Sequence, residues 1–294
     1  MYFPTSGVDV NPLVPPLVAF AISFFTSMGG VSGAFLLLPF QMSVLGFTTP
    51  SVSATNQFFN VVAIPPGVYR YYREGRMLWP LAGVIIAGTL PGVFLGAWIR
   101  IEYLPDPSRF KFFAGWILLL LGLRLAQDVL SRSTGSLSSA QGQEISRSSF
   151  TLRRISFHFA GQDHTVSFLP VFLFCCLIGV VGGIYGIGGG AIIAPFLVAV
   201  FKIPVYTVAG AALLGTLITS VAGVFFYQVL AASYPESSVA PDWYLGLLFG
   251  VGGFAGIYLG SRLQKFVPAR IIKAILCLTI LIVAARYLGQ FFYE

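Results

Sequence analysis

The sequence predicts an all-α polytopic membrane protein built as two inverted repeats, each a broken, re-entrant helical hairpin plus three transmembrane helices. Three observations predict it. The 294-residue chain is 56% hydrophobic and 9% charged, with a mean hydropathy of +0.86, which is more apolar surface than a water-soluble core can absorb. A glycine cluster followed by an apolar run and a proline occurs twice, from Gly29 to Pro39 and from Gly182 to Pro195. The basic residues sort to two sides of a membrane only if each cluster is the tip of a hairpin.

Taken in order, the first half offers apolar segments at about 14–46, broken at its glycines, then 50–71, 79–100 and 110–130. Met1 to Leu13 lacks a basic leader region, so the first apolar run reads as a membrane segment and not a cleaved signal. The polar, serine-rich stretch from Ser131 to Arg154 reads as a mobile linker. Alternation in Ile155–Phe159 and His164–Phe168, on either side of a glycine-containing turn, predicts a small β-hairpin at the membrane surface. The second half repeats the first at about 167–201 (broken), 205–230, 243–262 and 270–291. The organisation expected is a first membrane repeat over 1–130, a cytoplasmic linker with its hairpin over 131–166, and a second membrane repeat over 167–294. Trp79 and Trp243 open matching segments, and Gly88, Gly92 and Gly96 recur as Gly252, Gly256 and Gly260. Glycine at every fourth position lays a bare stripe on one helical face, where a second helix can approach closely.

The charges fix the topology expected. The net charge is +7, but Lys and Arg sit mainly in short links between apolar segments, which is a topology signal and not a nucleic-acid face. If every broken segment crossed completely, the 17 basic residues would divide nine against eight, with no bias. If each is a hairpin returning to the side it left, Arg100, Arg109, Lys111 and Arg286 lie on one side and the remaining 13 of the 17 Lys and Arg on the other. That asymmetry marks the cytoplasmic side and puts both termini outside. One hairpin plus three crossings is an odd unit, so the halves run in opposite orientations.

Glycine clusters at membrane depth break helices, and freed backbone groups are tolerated there only where they face protein or a polar cavity. Two matching breaks, one per half, point to a transporter's central binding site. After each break a helix restarts, at about Gly33–Leu45 and Gly190–Phe201. Its first N–H groups lack intrahelical partners and carry the positive end of the helix dipole, so converging N-termini make an anion site without lysine or arginine. The substrate-binding residues expected are Gly30, Ser32 and Gly33 at the first break and Gly188, Gly189 and Gly190 at the second. Asn56, Gln57 and Asn60 join them from the next helix of the first half, and Thr216 and Ser220 from that of the second. Ser53, Thr55 and Thr219 lie on the same helices, where a hydroxyl can also bond back to its own turn. All ten acids lie in links, termini or segment ends, so no carboxylate proton relay is legible. No cofactor and no metal site is expected, and Cys175, Cys176 and Cys277 read as small core residues.

At these residues the chain resembles the TauE/SafE family, the sulfite exporter family of bacterial membrane proteins. The family's Gly-x-Gly-Gly-Gly, apolar run and Pro pattern is matched by Gly186 to Pro195, and the Ala-Thr-rich helix that follows it by Ala54-Thr55-Asn56 in the first half. The first copy departs from it, with Gly29-Gly30-Val31-Ser32-Gly33 in place of three successive glycines. The resemblance implies export of sulfite or small organosulfonate anions such as sulfoacetate through the cytoplasmic membrane, with no nucleic-acid partner. A channel or uptake carrier for another small anion is the alternative on the same scaffold.

Enzyme readings are weaker. Gly30-Val31-Ser32-Gly33 mimics the serine motif of rhomboid proteases, but His158 and His164, the only histidines, fall in the predicted surface hairpin, out of reach of a membrane serine. Gly186-Ile187-Gly188-Gly189-Gly190 lacks the preceding strand and the following acid of a dinucleotide fingerprint.

Overall fold

A computed structural model of the chain describes residues 1–29, 32–130, 146–150, 154–159, 162–201, 203, 205–263, 266–267 and 269–293. Within them it is helical, apart from a two-stranded hairpin at the N-terminus and a three-stranded antiparallel sheet between the halves. Gly30 lies outside the described residues.

The N-terminal strands β1 (Tyr2–Phe3) and β2 (Val8–Asp9) lead into α1 (Val14–Gly29), α2 (Ala34–Ser43) and α3 (Ser51–Ala63). The segment expected as one helix over 50–71 is two. Pro65 and Pro66 bring no N–H to continue the ladder, so α3 ends at Ala63 and α4 (Pro65–Arg73) starts anew. Then come α5 (Trp79–Glu102) and α6 (Pro107–Leu130).

The stretch read as a mobile linker is not structureless throughout. Strand β3 (Ser146–Phe150) pairs antiparallel with β4 (Arg154–Phe159), which in turn pairs with β5 (Gln162–Ser167) from Arg154↔Ser167 to Phe159↔Gln162. The expected hairpin is therefore present, with a third strand whose serines hid it. The second half comprises α7 (Phe168–Tyr185), α8 (Gly190–Phe201), α9 (Val205–Ala231), α10 (Trp243–Leu263) and α11 (Ala269–Tyr293).

Among the described residues, α5, α6, α7, α9, α10 and α11 are long and apolar enough to cross a bilayer. Helix α2, with 10 residues, spans about 15 Å, half of the roughly 30 Å hydrocarbon core.

The halves exchange partners. Helix α1 packs on α10, α5 on α7, α6 on α11, and α3 on α9. The glycine stripes lie at these seams. A side chain at Gly92 would run into the Cys176 carbonyl and Gly179, and one at Gly96 into the Val180 carbonyl and Gly183. On the other seam, Gly252, Gly256 and Gly260 face the backbone of Pro16, Phe20 and Phe24.

Links also meet. Ser6 donates its N–H (3.2 Å) and hydroxyl (2.8 Å) to Asp242 Oδ2, while Asp242 Oδ1 caps α10 by accepting the Leu245 N–H at 3.0 Å. Tyr234 donates its hydroxyl to Glu102 at 2.8 Å, and the Ser51 N–H donates to the Ser238 carbonyl at 2.9 Å. Arg70 reaches the Ser261 carbonyl at 3.3 Å, and Lys273 lies 3.4 Å from Asp128.

Candidate functional site

The two helix breaks meet. Helix α2 contains Pro39, which has no N–H to give the carbonyl four residues earlier, so the Phe35 carbonyl lacks its intrahelical donor. Tyr185, the last residue of α7, fills the gap: its hydroxyl donates to Phe35 O at 3.0 Å, and the two rings sit 6.0 Å apart. The residue that closes the helix before the second break is thereby bonded to the first turn of the helix after the first break.

Backbone conformation fixes the second break. Helix α7 ends at Gly186 with φ +82° and its N–H on the Gly182 carbonyl. A Cβ there would be strained by the left-handed φ and would also strike the Ser53 backbone. Gly188, at φ +68°, has its hypothetical Cβ 2.7 Å from Ser220 Oγ. Gly189 packs on Thr89, and Gly190, the first residue of α8, lies against the Ala212 carbonyl and Thr216. The glycine cluster thus lets α8 begin against the backbone of α9, where side chains would hold it away.

Helix α3 straps both breaks with one face. Asn56 and Asn60 are four residues apart, hence neighbours on that face. Asn56 Nδ2 donates to the Ala34 carbonyl at 3.1 Å in the first turn of α2, and its Oδ1 accepts from Gln41 Nε2 at 3.3 Å. Asn60 Nδ2 donates to the Ile187 carbonyl at 2.9 Å and lies 3.4 Å from Ser220 Oγ. Ser53 donates to the Ile184 carbonyl at 2.9 Å. All these side chains are fully buried.

The expected residues divide by how their polar atoms are used. Asn56 has both amide atoms engaged by protein. Ser32 Oγ accepts the Ala34 N–H at 3.3 Å, and the hydroxyl of Thr216 bonds back to Ala212 O at 2.9 Å. Gly33 starts α2 against Ser23. By contrast both amide atoms of Gln57, and Oδ1 of Asn60, are buried without a hydrogen-bond partner. Gln57 lies against α9 at Gly223, where even a methyl group would overlap its amide. A buried amide left open is costly, so Gln57 and Asn60 are the expected residues with free capacity to bind; Gln41 Oε1 and Ser23 Oγ are likewise buried without a hydrogen-bond partner.

Sequence reading assigned no role to Tyr185, Gln41 or Ser23, and only a topological one to Arg100. The missed signal for Tyr185 is Pro39, since a proline inside a short buried helix guarantees an orphan carbonyl. Arg100, expected in an external link, is wholly buried at the end of α5. It donates to the Leu104 carbonyl and, at 3.0 Å, to the Thr48 carbonyl, and lies 3.7 Å from the centre of the Phe110 ring. Among the described residues no group of three or more His, Cys, Asp or Glu could hold a metal.

A polytopic helical membrane protein with two short helices that restart at glycine breaks in its interior, the breaks joined by Tyr185 and by the buried amides of α3, has the build of a membrane transporter. The chain belongs to the sulfite exporter TauE/SafE family, whose model matches residues 16–287. It is similar to a probable membrane transporter protein of Xylella fastidiosa (strain 9a5c), 26% identical over 258 residues, covering 84% of this chain and 81% of that one. YunE of Bacillus subtilis (strain 168), also a probable membrane transporter protein, is 19% identical over 273 residues, 90% of this chain and 92% of its own. YdhB of the same organism is 33% identical over 101 residues, 34% of this chain and 37% of its own. No solved structure matches the chain.

Proposed function

We propose that this transporter exports sulfite or a small organosulfonate, such as sulfoacetate, through the cytoplasmic membrane by alternating access. The observation that carries the reading is the junction of the two breaks, with Tyr185 bonded to Phe35 and α3 strapped to both. N-terminal N–H groups of α2 at Gly33 and of α8 at Gly190 hold the anion, with Gln57, Asn60, Thr216 and Ser220 around it. An inside-negative potential favours outward movement of an anion by about 2.3 kcal/mol per charge per 100 mV. The Tyr185 hydrogen bond and the Asn56 and Asn60 straps are the contacts that exchange as one half moves against the other.

Contacts between links support re-entrant hairpins and an inverted repeat. Pairing of Tyr234 with Glu102, Ser51 with Ser238, Arg70 with Ser261 and Lys273 with Asp128 requires each pair to share a side of the membrane. Hairpins that return to the side they left satisfy all four. Eight complete crossings separate every one of them.

Flux of labelled sulfite and sulfoacetate in proteoliposomes tests the proposal. Saturable flux of either is expected; no flux of any sulfur oxyanion overturns it, and flux that does not saturate favours a channel. Gly190→Val is uninformative, because any side chain there pushes α8 off α9. Gln57→Leu is the better probe. It removes an amide with no protein hydrogen bond to lose, so thermal stability holds or rises. Transport falls at least about tenfold if that amide meets the anion, one lost interaction being worth about 1.4 kcal/mol. Wild-type flux in Gln57→Leu removes the residue from the path.

A further inference from the structure

We infer that the apolar groove between α4 and the start of α5 is a binding site for an anionic glycerophospholipid, with an acyl chain in the groove and the phosphate on Arg73. The groove holds about 350 Å³ and is lined by Pro65, Val68, Tyr72, Trp79, Leu214 and Leu217. That volume lies at the small end of the roughly 300–1,000 Å³ of ligand pockets, and the wall offers an occupant almost nothing but hydrocarbon and ring faces.

Position and charge select the occupant. Trp79 opens a membrane span and is 56% exposed. An exposed tryptophan at a span end marks the level where hydrocarbon gives way to headgroups. Tyr72, exposed and edge-on to Trp79 with ring centres 6.2 Å apart, continues that belt. Helix α4 has no buried side chain and ends in Arg70 and Arg73, so it reads as a helix lying in the interface with its bare face to the acyl region.

Of the three arginines in α4 and the link after it, Arg70 and Arg76 are both taken by Glu74, at 2.8 and 2.9 Å. Partial burial raises the Glu74 carboxyl's pKa, and the hydrogen bonds and charges of Arg70 and Arg76 outweigh this and leave it below its ordinary 4.5. Glu74 is thus ionised at neutral pH and stays with those two. Arg73 is exposed, has no carboxylate within ion-pair distance among the described residues, and lies 5.9 Å from the ring centre of Tyr69 beside the groove. A free guanidinium at headgroup level above an apolar slot complements a phosphate that carries an acyl tail. A neutral lipid answers the slot and leaves the charge unmatched. The groove wall at Leu217 is the residue after Thr216, so a seated chain braces α9 where α9 walls the second break.

The test uses the full chain purified in detergent and titrated with phosphatidylglycerol or with phosphatidylcholine of the same acyl chains, read by thermal unfolding and by native mass spectrometry. Wild type is expected to hold phosphatidylglycerol more tightly than phosphatidylcholine and to unfold at a higher temperature with it. Arg73→Gln weakens phosphatidylglycerol about fivefold and leaves phosphatidylcholine unchanged, one basic residue at the surface being worth about 1 kcal/mol. Leu217→Trp fills the groove and lowers binding of both lipids. Arg109→Gln, an exposed arginine elsewhere, changes neither. Equal binding of the two lipids by wild type overturns the inference, as does unchanged selectivity in Arg73→Gln or unchanged lipid binding in Leu217→Trp. Because none of these readouts is transport, the outcome is independent of which anion the protein carries.

Discussion

Tyr185 shows how one residue's chemistry can join two distant parts of the chain. Its hydroxyl answers a carbonyl that Pro39 freed, and nothing in the local sequence around Tyr185 announces that partner. Tyr185→Phe keeps the ring contact with Phe35 and leaves the carbonyl bare. Side-chain hydrogen bonds inside membrane proteins average about 0.6 kcal/mol, so a fall in melting temperature of a few degrees at most is expected in detergent-solubilised protein. Altered transport is expected as well, because the same bond holds the breaks together. An unchanged melting temperature together with unchanged flux would show that the bond has no consequence. The asparagines teach a related lesson. Membrane depth made Asn56, Gln57 and Asn60 conspicuous in the sequence, yet only the fold separates Asn56, bonded at both amide atoms by Ala34 and Gln41, from Gln57, which has no partner. Arg100 was miscast for the opposite reason. A charge at a segment end reads as solvated, whereas the Thr48 and Leu104 carbonyls and the Phe110 ring enclose it.

Helices here are positioned by where side chains are missing. Gly92 and Gly83 sit on the same helix, α5, but a Cβ on Gly92 would lie 2.8 Å from the Val180 nitrogen and 2.9 Å from the Gly179 Cα, whereas Gly83 has nothing within 4 Å. The two alanine substitutions should therefore diverge. Gly92→Ala pushes α5 off α7 and is expected to cost about 1–3 kcal/mol, as overpacking does. Gly83→Ala is expected to be neutral or to stabilise by up to about 1 kcal/mol, from helix propensity. Thermal unfolding of the pair checks this, and equal effects would remove the close-contact role of the stripe. Period-four glycine was legible because its spacing alone dictates a shared face. Strand β3 was not legible, because Ser146–Phe150 gains its strand character from pairing with β4.

At the scale of the molecule, each half of the chain completes the other. Helix α1 finds its partner in α10 and α7 in α5, so neither half buries its glycine seam by itself. The outward position proposed for both termini follows from the charge tally and the four link contacts. A single cysteine added at either terminus should react with a membrane-impermeant maleimide in intact cells, and one introduced at Ser261, beside Arg70, should react only after permeabilisation. Labelling in the reverse pattern would remove the re-entrant topology.

By itself the sequence determined the membrane class, the ends of most long helices to within a few residues, both helix breaks and the family, because hydropathy, glycine spacing and motif are properties of short stretches read one at a time. Only the tertiary structure decided that the breaks touch, which amides are spent on the protein and which are left free, and that Arg100 is enclosed. Those facts depend on which atoms far apart in the chain come within hydrogen-bond distance, and no local pattern encodes that.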